Sequence, residues 1–283
     1  MNTQGKIVPN ISDVKDFWTE NPMTFIDIQD KSVEEIFKKN VEDERSRRWM
    51  HVDGKPLHYD WIDYPALRGK KVLEIGYGLG LLADEMICVG ADYTGIDLSP
   101  YHAEFCKKVF GHKKNARFLE GNAENLRFEN NTFDCVLSYG VMHHSPDTQK
   151  CIDEACRVLK RGCLFYCMLY RKSFLRYWYG KFFKYGIAKG EIFRYRSIHK
   201  VVERHTDTHG GGNGAPISRF LKDRDLRQLL NGFSSYEYSI TGNYSELAEF
   251  PMNRINIGKV MSPALKQKTL KKFGGYFLIT ANK

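Results

Sequence analysis

Glycine stands at every second position of Gly76-Tyr77-Gly78-Leu79-Gly80, directly after the apolar run Val72-Leu73-Glu74-Ile75, which carries a carboxylate inside it. Such a loop brings backbone N–H groups and a helix start close to a ligand, because no Cβ intervenes and glycine adopts positive φ freely. Taken alone, the spacing permits a plain turn, a nicotinamide site or a phosphate cradle. Two further positions narrow it. Asp97 follows Gly80 by 17 residues at the end of a second apolar run, where a carboxylate can accept ribose hydroxyls. Asn122, in Gly121-Asn122-Ala123-Glu124, offers an amide suited to an adenine amino group. Together the three describe an adenosine site.

Two histidine groups could do proton chemistry. His143-His144 follows a fourth apolar run, and imidazole titrates near neutral pH, so either ring is a candidate general base; structural support is the competing role. His205-x-Asp207-x-His209 has residue types that bind metals, and alternate positions on a strand would share a face. The following Gly210-Gly211-Gly212-Asn213-Gly214 makes it a loop instead. No metal is expected there; a solvated loop and an acceptor contact through His205 and His209 both stay open.

The elements that position these residues alternate. Strands are expected at 72–75, 92–97, 116–120, 133–138 and 163–170, with helices at 81–89, 101–110 and 147–159 between them. Pro100 suits a first helical turn, and Ile152, Ala155, Cys156 and Leu159 lie at helical spacing. The turn Lys160-Arg161-Gly162 is expected to precede the fifth strand. A helix capped by Asp223 runs to residue 230, and strands at 235–240 and 275–281 close the chain. Short apolar strands alternating with helices imply an α/β, Rossmann-like, doubly wound and mostly parallel sheet. Residues 1–68 read as an N-terminal helical cap, with a capping box at Ser32 and Glu35 and with aromatics, Trp18 among them, that pack on the core or close over a ligand. The alternating core spans 69–170, an insert follows at 171–218, and the rest of the core at 219–283 has an excursion at 243–273.

Composition bounds the function. With 42% hydrophobic residues and 13% aromatics the chain is globular, and no stretch approaches the roughly 18 apolar residues of a membrane span. The polar start Met1-Asn2-Thr3-Gln4 is not followed by an apolar run, so no secretory signal is expected. Seven scattered cysteines read as reduced thiols, which suits the cytoplasm. The net charge of +9 points to an acidic partner without choosing among a small anion, a nucleic acid and a lipid surface.

Taken in order, the runs 72–80, Gly95-Ile96-Asp97-Leu98-Ser99, 121–124, Phe133-Asp134-Cys135-Val136, Gly140-Val141-Met142-His143-His144 and Arg157-Val158-Leu159-Lys160-Arg161-Gly162 resemble the class I S-adenosylmethionine-dependent methyltransferases. Within them the chain is most similar to the small-molecule branch that includes the quinone-biosynthesis C-methyltransferases. The likeness covers residues 70–170. It implies S-adenosylmethionine as cofactor, and a seven-stranded sheet that ends in an antiparallel pair. It also implies that Gly76, Gly78 and Gly80 form the loop against the methionine part, with Glu74 orienting the amino group. Asp97 would hold the ribose and Leu98 pack on the adenine. Asn122, where many relatives have Asp, and Ala123 would meet the adenine edge, and Tyr139 and Gly140 would line the floor.

The insert occupies the position of substrate-specific elements in that family. Its Tyr, Trp and Phe interleaved with Lys and Arg suit a lid over an anionic or aromatic acceptor, or a peripheral membrane contact. Ser138-Tyr139-Gly140-Val141 stands where enzymes that methylate nucleic-acid amino groups carry Asn/Asp-Pro-Pro-Tyr, which argues against a nucleic-acid acceptor. The resulting expectation is transfer of a methyl group to oxygen or nitrogen of a small molecule, with His143 or His144 as base and Trp18, Tyr170, His205 and His209 as acceptor contacts. An RNA methyltransferase and a non-catalytic S-adenosylmethionine-binding module are the alternatives.

Overall fold

A single sheet of seven strands runs through the computed structural model, which describes residues 9–22, 31–47, 56–208, 214–248 and 260–283. The strands are β1 (Lys71–Ile75), β2 (Asp92–Asp97), β3 (Ala116–Glu120), β4 (Phe133–Tyr139), β5 (Leu159–Tyr170), β6 (Ser235–Thr241) and β7 (Tyr276–Asn282). Their order is β3-β2-β1-β4-β5-β7-β6. The first five are parallel, and β7 lies antiparallel between β5 and β6. The winding reverses between β1 and β4, and an open α/β sheet has its ligand crevice at such a switch point, beyond the strand C-termini.

Helices α1 (Ile11–Glu20) and α2 (Val33–Arg47) precede the sheet, and α3 (Leu81–Cys88), α4 (Pro100–Phe110) and α5 (Thr148–Val158) form its crossovers. In the insert a π-helical stretch, Phe174–Ile187, is followed by α6 (Glu191–Tyr195) and α7 (Ile198–Arg204). Helix α8 (Asp223–Leu229) leads to β6, and α9 (Tyr244–Ala248) and α10 (Pro263–Phe273) separate β6 from β7. Strand alternation divides the core into two layers. Leu73, Val136, Phe165 and Cys167 pack with Ile152 of α5 and Leu226 of α8, while Val72, Leu137 and Tyr166 pack on the face covered by Met86 of α3 and Phe105 of α4. A parallel sheet covered on both faces needs this two-sided apolar character.

Three local expectations are refined. Helix α5 stops at Val158: Leu159 already belongs to β5 and pairs with Phe133. The expected turn at 160–162 lies inside that strand, where the register shifts between Phe133 and Cys135 and Gly162 takes φ +72°. A bulge bends a strand without ending it, so a glycine there looks like a turn in sequence. Asp223 is the first residue of α8 rather than its cap; the cap position is Lys222, whose N–H donates to the Asp225 carboxylate at 2.8 Å. The capping box of α2 forms, with the Glu35 N–H donating to Ser32 Oγ at 3.2 Å and the Ser32 N–H to the Glu35 carboxylate at 2.9 Å.

Candidate active site

A cavity of about 750 Å³ opens at the C-terminal ends of β1, β2, β4 and β5, bounded by α1 on one side and the insert on the other. At one end lies the glycine loop. Gly80 adopts φ +79° as the residue that turns β1 into α3, and a Cβ there would meet the Phe110 ring at 2.6 Å. Gly78 also has a positive φ, +53°, yet a Cβ would meet nothing within 4 Å, because the space beside it is the cavity. One glycine is thus required by packing and the other leaves room for a ligand.

Asp97 faces Gly78 from the end of β2. Its Oδ2 accepts the Gly78 N–H at 2.9 Å, and its Oδ1 accepts the Ser99 N–H at 2.9 Å and lies 3.1 Å from His102 Nδ1. Burial works against its charge, but His102 and the two N–H groups outweigh that and hold the carboxyl below its usual range. One lone pair of Oδ2 is left for a ligand hydroxyl. His102 Nε2 and Ser99 Oγ are buried beside it without a partner among the described residues, and His102 is on the cavity wall. Orphaned polar atoms around an ionised carboxylate fit the hydroxyls of a ribose. Glu74 is the complementary case: burial lifts its carboxyl to a pKa of about 8, although Tyr93 donates to it at 2.7 Å. A cationic amino group beside it would offset that burial. Asn122 already accepts the Glu124 N–H at 2.9 Å, and a carbonyl oxygen has capacity for a second donor.

The far end is polar and aromatic. His144 Nδ1 lies 2.7 Å from the Ile217 carbonyl, which can only accept, so Nδ1 carries the hydrogen and Nε2 presents a lone pair. Nε2 is 3.3 Å from Asp207 Oδ2. Burial lowers the His144 pKa, with Asp207 and the Ile217 carbonyl opposing, so the ring is neutral at neutral pH. The Tyr170 hydroxyl donates to both oxygens of Asp207 at 2.9 and 3.0 Å. Arg176, from the π-helical stretch, lies 4.3 Å over the Tyr170 ring and donates to the Tyr276 hydroxyl at 2.6 Å. Trp18 of α1 closes the group edge-on, 5.1 Å from His144.

The cavity gathers most of the residues that the sequence singled out. Glu74, Gly76, Gly78, Asp97, Leu98, Asn122, Ala123, Tyr139 and Gly140 line it, as do His144, Trp18 and Tyr170, whereas Gly80 supports the loop from behind. His143 is fully buried outside the lining, its ring 3.7 Å from Tyr170 and neither nitrogen partnered among the described residues; burial, His144 and Arg176 push its pKa far down. His205 also lies off the cavity, stacked on Tyr185 at 3.6 Å and paired with Glu191 at 2.8 Å. His209 falls outside the described residues. The sequence reading missed His102, Arg176, Asp207, Asn243 and Tyr276, all of which line the cavity. Only Asp207 had a signal, as the middle of the His-x-Asp-x-His run.

Comparison with known proteins agrees with this geometry. A methyltransferase domain model matches residues 73–167. A ubiquinone biosynthesis O-methyltransferase of Aliivibrio fischeri is 27% identical over 226 residues, covering 75% of this chain and 87% of the relative. A phthiotriol/phenolphthiotriol dimycocerosates methyltransferase of Mycobacterium tuberculosis is 32% identical over 176 residues, 61% of either chain. The quinone relatives found are thus named O-methyltransferases, where the motifs suggested a branch including C-methyltransferases. Among solved structures, Haemonchus contortus phosphoethanolamine N-methyltransferase 2, bound to S-adenosylhomocysteine, shares the fold with a TM-score of 0.54 at 16% identity, over 95% of this chain and 60% of that one. This chain carries a class I S-adenosylmethionine-dependent methyltransferase domain, with S-adenosylmethionine as its cofactor.

Proposed function

We propose that the protein transfers the methyl group of S-adenosylmethionine to a hydroxyl oxygen of a small aromatic or anionic acceptor, in the cytoplasm, with His144 as the base. The observation that carries this reading is His144 itself: it lines the cavity, burial lowers its pKa, and Nδ1 is committed to the Ile217 carbonyl, which leaves Nε2, beside Asp207, as the nitrogen able to take a proton. When bound, the cofactor supplies a methyl group already activated by its sulfonium. The residues of the chain therefore have to align, exclude water and take a proton. Glu74, Asp97, His102 and Asn122 hold and orient the adenosyl end. Trp18 and the insert cover the acceptor end, and the rings of Trp18, Tyr139 and Tyr170 offer flat walls to an aromatic acceptor. His144 Nε2 accepts the hydroxyl proton as the oxygen becomes methylated, a role for which a lowered imidazole pKa keeps the lone pair available at neutral pH. The O-methyltransferase names of the quinone relatives support oxygen as the target.

The test is transfer of isotope-labelled methyl from S-adenosylmethionine into an extract of the source cells, followed by mass identification of the product. A methyl ether or ester on a small molecule is expected. Label in an amine or on carbon would overturn the choice of oxygen, and label in RNA would overturn the choice of a small acceptor. Absence of binding of S-adenosylhomocysteine in calorimetry at low micromolar protein would remove the cofactor reading itself.

A further inference from the structure

Asp207 belongs to none of the adenosyl contacts, yet it is the most heavily committed carboxylate of the insert. It follows α7 with φ +54°, a left-handed conformation that is unfavourable for a non-glycine residue. Its side chain is only 9% exposed, and it is fixed by the Tyr170 hydroxyl, whose one hydrogen is shared between the two carboxylate oxygens, and by Arg176 Nη2 at 3.6 Å. The remaining neighbour is His144 Nε2, at 3.3 Å from Oδ2. Because the hydrogen of His144 is on Nδ1, that contact sets a lone pair against a carboxylate oxygen. Two acceptors in a buried place attract each other only once a proton lies between them.

We propose that Asp207 is a positioning residue for methyl transfer, completing across the cavity a histidine–carboxylate pair that captures the proton of the acceptor. The proposal rests on the reading of His144 as base. In the step, the acceptor O–H bond breaks and its proton goes to His144 Nε2, while an O–C bond forms as the S–C bond of the sulfonium breaks and the sulfur keeps the electron pair. One positive charge is lost at sulfur and one appears on the imidazole, next to the Asp207 carboxylate. The charged and titratable groups facing His144 are Asp207 of the insert, Arg176 of the π-helical stretch, Tyr170 of β5 and the adjoining His143; Ser218 Oγ, 3.4 Å from Nδ1, carries no charge. Arg176 and burial oppose the imidazolium, and Asp207 is the carboxylate that favours it. The insert thereby does more than cover the acceptor: it brings the group that makes the base competent.

The test uses the full chain with isotope-labelled histidine, following ring signals by NMR against pH, with His144 assigned from a His144→Gln variant. Asp207→Asn should lower the His144 titration by about one to three pH units, the range an opposite charge at contact distance produces. Tyr170→Phe should raise it, because Asp207 loses the hydroxyl that shares its charge. The two opposite signs guard against a variant that merely loosens the fold. In the labelled-methyl assay, Asp207→Asn should lower kcat roughly ten- to hundred-fold, with S-adenosylhomocysteine affinity unchanged, and Asp207→Glu should recover part of the loss. An unchanged His144 titration in both Asp207→Asn and Tyr170→Phe would overturn the pairing. A titration that responds while kcat does not would leave the pair in place and overturn His144 as the base.

Discussion

At the scale of single residues, Glu74 carries a proton that the cofactor is expected to displace. Its carboxyl is lifted from 4.5 to about 8 by burial, so between those values the native protein holds a proton that the unfolded chain has lost. The contribution to stability is therefore full below pH 4.5 and declines as pH rises through about 8, by at most about 1.4 kcal/mol per pH unit. An amino group bound beside Glu74 favours the carboxylate, so cofactor binding at neutral pH should release a proton. Calorimetric binding enthalpies measured in buffers of different ionisation heat should differ in proportion to that heat, and Glu74→Gln should remove the dependence and flatten the pH slope of unfolding.

Asp97→Ala makes the complementary case. It removes an ionised acceptor and strands the N–H groups of Gly78 and Ser99, so S-adenosylhomocysteine affinity should fall roughly ten- to hundred-fold, about 1.5–3 kcal/mol for hydrogen bonds to a charged group. Retained affinity would place the ribose elsewhere. Glu74, Asp97 and Asn122 were legible in sequence because each sits at the end of its own strand, where local spacing announces it. Arg176 and Tyr276 were not, and Asp207 showed only as the middle of a histidine run, because the three meet only when the π-helical stretch, the turn after α7 and β7 are folded together.

At the scale of elements, the glycine loop separates packing from binding. Gly80→Ala places a Cβ 2.6 Å from Phe110 at φ +79°, so it should lower unfolding stability by about 1–3 kcal/mol. Gly78→Ala pays only the left-handed backbone cost, about 1–2 kcal/mol, since its Cβ meets nothing within 4 Å, but that Cβ enters the cavity. Denaturant unfolding should therefore rank Gly80→Ala as the more damaging, and cofactor titration should show a loss for Gly78→Ala that exceeds what its stability change explains. Equal losses in both measurements would mean that Gly78 is a packing glycine too. The strands and crossover helices were readable because periods of 2 and 3.6 expose their buried faces. The insert was not. Phe174, Trp178, Phe183 and Ile187 are exposed and stand four, five and four residues apart, which forms one row on a π-helix but two opposed pairs on an α-helix.

At the scale of the whole molecule, that exposed row belongs to a chain with a net charge of +9. Among the described residues no helix is long and apolar enough to cross a membrane. The insert nevertheless exposes those four apolar side chains and Phe193, which is 83% exposed, and carries Lys172 over the Tyr177 ring and Lys184 and Lys189 over the Tyr185 ring. Aromatic rings beside ammonium groups suit an anionic lipid surface, where each basic residue adds about 1 kcal/mol and each ring buried among acyl chains about 1.5–3 kcal/mol. Bulk RNA would engage the same lysines and use little of the apolar row. The protein is therefore expected to sediment with vesicles containing anionic phospholipid and to be released by salt. A Trp178→Ser, Phe193→Ser double variant, which leaves the net charge intact, should weaken vesicle binding at least tenfold and leave any RNA binding within twofold. If the double variant binds vesicles as the parent does, the attraction is a general property of the charge and the insert has no part in it. Vesicle binding lost together with S-adenosylhomocysteine affinity would instead mean that the substitutions disturb the cavity beneath the insert.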